Sequence, residues 1–423
     1  MGEPPDTLDP CAGDAPSQRD AHVARRARAT PAGAPPKAPA TALALVLLLA
    51  LAVACAGCVA QPRTRGPAPT PTSTPAPAPS PLPVLTPEQL AGQRTVYGYS
   101  GLTPPDELLD LVRHGEAAGV IFFGDNIASE SQLREVVLGL ERASAASTNP
   151  VRAPLLLMID QEGGQIRRLP GAPALSEKRI GASPSPEAEA TKAGREAGLN
   201  LRGVGLNVNL APVLDVYRAE GDFVDRYGRS YSSDPDSVSE LGGAFISALQ
   251  GEGVAATAKH YPGLGSATAT QNTDARPVTL PLSEATLSDV DETPFRSAIA
   301  GGVKLIMVSW AIYPALDASA PAGLSQAVVE QRLRATLGFR GVIVSDSIQA
   351  GALKPYGGIA TCARRAAEAG VDLILCGKAK TGISTGLKAR DALARGYRNG
   401  TLDKALFEES VQRVIALRQS LDD

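Results

Sequence analysis

VIVSDS, residues 342–347, is an apolar run that turns polar at its C-terminal end, and seven further segments are built around apolar runs. They are TVYGY (95–99), VIFF (120–123), LLLMID (155–160), LNVNLAPVLDV (206–216), AATAKHY (255–261), KLIMVS (304–309) and LILCG (373–377). Amphipathic stretches separate them, among them 107–118, 130–145, 187–199 and 237–251. A strand that is apolar along its length is buried on both faces, the condition of a parallel sheet covered by helices. Eight such units predict a (β/α)8 TIM barrel rather than an open sheet. A doubly wound fold would carry a glycine-rich phosphate turn after its first strand, and GYSGL (98–102) does not supply one.

Outward from the barrel the texture changes. Residues 1–40 are rich in Ala, Pro, Arg and Asp, and Arg25, Arg26 and Arg28 precede a continuous apolar run, TALALVLLLALAVACAGC (41–58). That run has the length of a signal sequence and is slightly short for a membrane span. Its ending, Cys55-Ala56-Gly57-Cys58, resembles a bacterial lipobox, which makes Cys58 the expected lipidation site; an uncleaved N-terminal anchor is the alternative. Residues 59–85 are mostly Pro, Thr, Ala and Ser, a composition that cannot bury a core and acts as an extended spacer. Three regions are therefore expected: a leader (1–58), a linker (59–85) and a barrel (86–423) outside the cytoplasm, anchored to a membrane. Of five cysteines only Cys362 and Cys376 fall in the barrel, so no disulfide framework is expected, and Cys376 reads as a buried thiol. A net charge of −3 gives no case for nucleic acid. No His/Cys/Asp cluster has ligand spacing, so neither metal nor cofactor is expected, and the chain is expected to be a monomer.

Several strands end in chemistry. Asp160, Asp215, the pair Lys259-His260 and Asp346 stand at or near the C-terminal ends of the third, fourth, fifth and seventh segments. In a barrel those ends share one rim, where active sites are built. Each residue alone could be a loop cap or an N-cap. Convergence of four such strand ends points to a site.

At these residues the sequence resembles the N-terminal domain of glycoside hydrolase family 3, particularly the single-domain bacterial β-N-acetylhexosaminidases. The resemblance runs over most of 84–420 and includes GVIFFGDNIASESQL (119–133), LLLMIDQEGGQIRRLP (155–170), NLAPVLDV (209–216), GRSYSSDP (228–235), AKHYPGLG (258–265), ETPFRSAI (292–299), TLGFRGVIVSDSI (336–348) and SVQRVIALRQS (410–420). It implies a carbohydrate substrate, with Asp346 as the nucleophile of a retaining mechanism. Asp160 with Arg168, Arg229, and the pair Lys259 and His260 take the roles of sugar-binding residues. Glu162 and the Gly163-Gly164 turn are expected to shape the pocket.

One departure matters. The family's loop after KHxPGHG carries an Asp-x-His dyad whose His is the general acid/base, whereas this loop reads GLGSATATQNTDARPV (263–278). The chain holds three histidines, His22, His114 and His260, so no spare imidazole exists. Three readings stay open: Asp274 is the acid/base, the acid comes from another loop or chain, or the barrel binds glycans without hydrolysing them efficiently. No second domain is expected after the barrel. The leading expectation is a retaining exo-glycosidase for β-linked amino sugars of cell-wall glycans. A glycan-binding lipoprotein is the runner-up. A solute-binding lipoprotein shares the leader but not the DQEGG and KHxPG pieces.

Overall fold

The structure, a computed structural model, describes residues 83–377 and 379–421. Cys58 and the linker up to residue 82 lie outside the described residues. Eight strands close a parallel barrel: β1 (Thr95–Gly98), β2 (Gly119–Phe122), β3 (Leu156–Ile159), then, after a small antiparallel hairpin of β4 (Gln161–Gly163) and β5 (Ile166–Arg167), β6 (Val208–Asn209), β7 (Ala255–Tyr261), β8 (Leu305–Val308), β9 (Val342–Ser347) and β10 (Leu373–Cys376). Each barrel strand pairs with the next, and β10 closes on β1 through Thr95↔Ile374 and its neighbours.

The expected TIM barrel is what forms, and β7 and β9 match their predicted segments residue for residue. The fourth segment differs. Its ladder stops at Asn209 because Pro212 has no N–H to donate and the Asn209 side chain takes over pairing. Asn209 Oδ1 accepts from Gln161 N at 3.0 Å and its Nδ2 donates to Gln161 O at 3.0 Å. Beyond it the chain still runs beside β7, with Thr257 N donating to Ala211 O and Leu214 N to Lys259 O.

Helices wrap the barrel where the amphipathic stretches stand, and their starts are written in capping residues. Ser129 accepts from Gln132 N ahead of the helix Glu130–Ser144, and Asp234 accepts from Ser237 N ahead of Pro235–Gly251. The apolar side chains sort into two layers, as the period of two along a strand requires. One lies between strands and helices. The other fills the barrel and includes Val96, Ile121, Leu156, Met158, Leu305, Met307, Val342, Val344 and Leu373.

Val414 and Leu417 of the final helix (Lys404–Gln419) join that inner layer. They close the end at which the strands begin. Arg418 fixes the closure, donating to Pro154 O at 2.7 Å and Ala153 O at 2.8 Å just ahead of β3, and to Gln93 ahead of β1. With that end plugged, the opposite rim is where a ligand can enter. Among the described residues no helix is long and apolar enough to cross a membrane.

Candidate active site

The inward series of three strands end in charge. On β3 the position after Leu156 and Met158 is Asp160. On β7 the position after Ala255 and Thr257 is Lys259, and on β9 the position after Val342 and Val344 is Asp346. Alternation along a strand thus aims all three at the barrel axis, at the same rim.

Lys259 is the hub of one cluster. Its Nζ lies 2.9 Å from Asp160 Oδ1 and 2.7 Å from Glu162 Oε1. Glu162 rides on the hairpin that follows β3, whose turn uses Gly163 and Gly164 at φ +115° and +55°, conformations open to glycine. Arg229 grips the same carboxylate with two prongs, Nε to Oε2 and Nη2 to Oε1, both at 2.9 Å. Buried charges persist only when paired this well. Burial pushes the Asp160 and Glu162 carboxyls up, but the cations overcome it: Lys259 and Arg168 hold Asp160 below its ordinary range, and Arg229 and Lys259 hold Glu162 far below. Burial likewise opposes the Lys259 ammonium, and Asp160 and Glu162 raise it regardless. Asp160 is the member of this cluster most open to a ligand, its side chain 18% exposed.

Neighbouring side chains on a strand normally face opposite ways, yet both Lys259 and His260 reach rim carboxylates. The register between β7 and β8 shifts between Lys259 and Tyr261, which permits this. His260 Nδ1 lies 2.7 Å from Asp215 Oδ2, and Asp215 Oδ1 accepts from His260 N at 3.1 Å and Leu264 N at 2.7 Å. Burial pushes Asp215 up, and His260 with the two backbone N–H groups brings it below its ordinary range. A carboxylate on Nδ1 fixes the ring and leaves Nε2 for a ligand.

Asp346 is partly exposed at the end of β9, its Oδ1 accepting from Ser347 N at 2.6 Å. Trp310 braces the turn beyond it by donating from Nε1 to Ser347 O at 2.9 Å. Asp274 comes from the long loop after β7. That loop is docked on the segment following β9: Gly351 N donates to Asp274 O at 2.6 Å and Ala352 N to Thr273 O at 2.9 Å. A methyl group at Gly351 would lie 2.1 Å from Ala275 O, so close an approach needs glycine.

The structure thus joins Asp160 to Lys259 directly and Lys259 to Arg229 through Glu162, and pairs His260 with Asp215. Arg168 stands near Asp160, donating its N–H to Asp160 O at 3.2 Å, while its Nε is buried without a hydrogen-bond partner. Leu264, where the family motif has His, is buried in the outer layer. Among the described residues the other imidazole, His114, precedes β2 on the plugged side and is exposed. Cys362 and Cys376 are buried and free.

Sequence reading missed Glu177 and the pair Arg218–Asp291. Glu177 Oε1 accepts from Val213 N at 2.9 Å, and burial, then the charge of Glu162, push its carboxyl well up. Neither lies in a strand, where periodicity would have singled it out.

The model of the "Glycosyl hydrolase family 3 N terminal domain" matches residues 88–417. An "Uncharacterized secreted glycosyl hydrolase" of Arthroderma benhamiae is 41% identical over 78% of this chain and 93% of its own length. A "Beta-hexosaminidase" of Xanthomonas oryzae is 35% identical over 66% of this chain and 81% of its own. Among solved structures, a family 3 β-N-acetylglucosaminidase from a Paenibacillus species superposes with a TM-score of 0.75 at 33% identity, over 80% of this chain and 64% of that one. A β-N-acetylhexosaminidase from Beutenbergia cavernae superposes with a TM-score of 0.71 at 28% identity, over 80% of this chain and 99% of that one.

Proposed function

The chain belongs to the family of the glycosyl hydrolase family 3 N-terminal domain, and from that premise we propose that it is a retaining exo-acting glycosidase that removes β-linked N-acetylhexosamine residues. The observation that carries the reading is the convergence of Asp160, Lys259 and Asp346 on one rim of a barrel plugged at its other end. The hexosaminidases among its relatives supply the substrate class.

Asp346 attacks the anomeric carbon and forms a glycosyl-enzyme while the leaving oxygen takes a proton from Asp274. The Asp274 carboxylate then draws a proton from water, which attacks the same carbon and releases the sugar with its configuration retained. Such a pair works at a separation of roughly 5 Å, and docking of the Asp274 loop beside the β9 turn supports that role. Asp160, Arg168, Lys259 and His260 hold the sugar hydroxyls; Arg229, its side chain 11% exposed, completes the subsite by anchoring Glu162. On this reading the barrel works outside the cytoplasm on cell-wall glycans, tethered through a lipid on Cys58. A secreted relative supports export.

The full-length protein assayed with nitrophenyl β-glycosides of several sugars tests the reading. Hydrolysis is expected for the N-acetylhexosaminides and should vanish in Asp346→Ala while N-acetylglucosamine still binds. Turnover surviving that substitution contradicts the assignment. Glycan binding without turnover of any sugar would instead support the glycan-binding alternative, which the missing Asp-x-His dyad favours.

A further inference from the structure

Asp215 holds His260, and the segment that carries Asp215 is itself fastened to the Gly263–Gly265 turn. Arg218, three residues on, donates from Nη1 to Val216 O at 2.5 Å and from Nη2 to Asp291 Oδ2 at 2.6 Å. Asp291 lies directly under the turn: a methyl group on Gly263 would sit 2.7 Å from Asp291 Cβ and 2.9 Å from its Oδ1. From the Asp215 segment, Val216 O would be 2.0 Å from a methyl group on Gly265. Tyr313 steadies the same turn by donating its hydroxyl to Gly263 O at 2.8 Å. The Asp291 side chain is fully buried, its Oδ1 has no hydrogen-bond partner, and Arg218 is its one ion-pair partner among the described residues.

We propose that the Arg218–Asp291 ion pair is a positioning device for the Asp215–His260 pair, clamping the Asp215 segment to the glycine turn and so fixing the place and tautomer of the His260 ring. Asp215 takes one of its three hydrogen bonds from Leu264 N, in the middle of that turn. A turn that shifts therefore loosens Asp215, and Asp215 releases the ring.

The device is pH-sensitive. Burial pushes the Asp291 carboxyl up to about 7, opposed by Arg218 and reinforced by the charges of Asp215 and Glu292. The groups around it are Arg218 and Asp215 from the segment after β6, with His260 behind Asp215 and the Tyr313 hydroxyl across Gly263. On its own element stands Glu292, itself held by Arg332, Arg296 and the Tyr261 hydroxyl. As pH falls through that value Asp291 gains a proton, Arg218 loses its counter-charge and the clamp slackens. Sugar binding through His260, the part that rests on the proposed function, weakens in the same direction.

The test is proton–nitrogen NMR of the imidazoles of the full-length chain, whose three histidines make the spectrum simple, run beside KM against pH. In the native protein the His260 signals should carry an inflection that reports the Asp291 titration near pH 7, and KM should rise on the acid side. Asp291→Asn should remove that inflection, flatten the KM profile and raise KM on the order of tenfold above neutrality, with kcat changed less. Arg218→Lys, which keeps the charge, should retain most of the native behaviour. Arg218→Met, at a side chain 29% exposed, carries the same test if Asp291→Asn does not fold. Folded variants whose His260 signals and KM profile coincide with the native ones overturn the proposal. His260 signals that respond while KM does not uphold the clamp and count against the sugar-binding role of His260.

Discussion

Glu162 and Glu177 are two buried carboxyls of one cluster pushed in opposite directions. Glu162 has Arg229 and Lys259 against it and stays ionised. Glu177 has one backbone N–H on Oε1 and nothing on Oε2, and burial together with the charge of Glu162 pushes its carboxyl well up. A carboxyl whose folded pKa is raised costs stability as pH climbs above its unfolded value of 4.5, because the unfolded chain then gains by ionising while the native state still holds its proton. Glu177→Gln keeps the acceptor for Val213 N and deletes the titration. Its urea midpoint should therefore fall less than that of the native protein between mildly acid and neutral pH; parallel falls would mean that Glu177 titrates normally. Asp160, Lys259 and Asp346 were readable in the sequence because each is the next inward residue of an apolar strand. Glu177 and Asp291 were not, because segments distant in sequence bury them.

On the proposed mechanism the loop after β7 supplies the acid. It lacks the expected imidazole, and its Asp274 is brought beside β9 by main-chain bonds to Gly351 and Ala352. If Asp274 is the acid, Asp274→Ala should slow substrates with poor leaving groups by roughly 10²–10⁴-fold and nitrophenyl substrates far less, and azide should partly restore turnover. Equal slowing of both classes would remove Asp274 from the mechanism. Gly351→Ala should reproduce a milder form of the same leaving-group pattern, since its methyl group would drive Ala275 O, 2.1 Å away, out of place. A Gly351→Ala protein with native kinetics would show that docking of the loop is irrelevant to catalysis. Strand positions were readable from apolar runs, and helices from the amphipathic stretches between them. The docking was not, because Gly351 carries no pattern that names its partner.

At the scale of the described residues the barrel is open at one rim and plugged at the other, which on the proposed function sets chemistry and stability at opposite ends. Arg418→Ala strips donors from Pro154 O, Ala153 O and Gln93 at the plugged end. It should cost about 3 kcal/mol, with turnover per folded molecule unchanged; a matched loss of turnover would mean that the two ends are coupled. The barrel itself was readable from the rhythm of eight runs. That the last helix closes it was not, because Val414 and Leu417 look like any apolar helix face. The central claim, that this rim cleaves glycosides through Asp346, is tested most directly by trapping the intermediate. Incubation with a 5-fluoro-N-acetylglucosaminyl fluoride followed by proteolysis and mass spectrometry should place one sugar on the peptide containing Asp346, and on no peptide of Asp346→Ala. A label on any other carboxylate, or release of the α-anomer as the first product from a β-linked substrate, would contradict it.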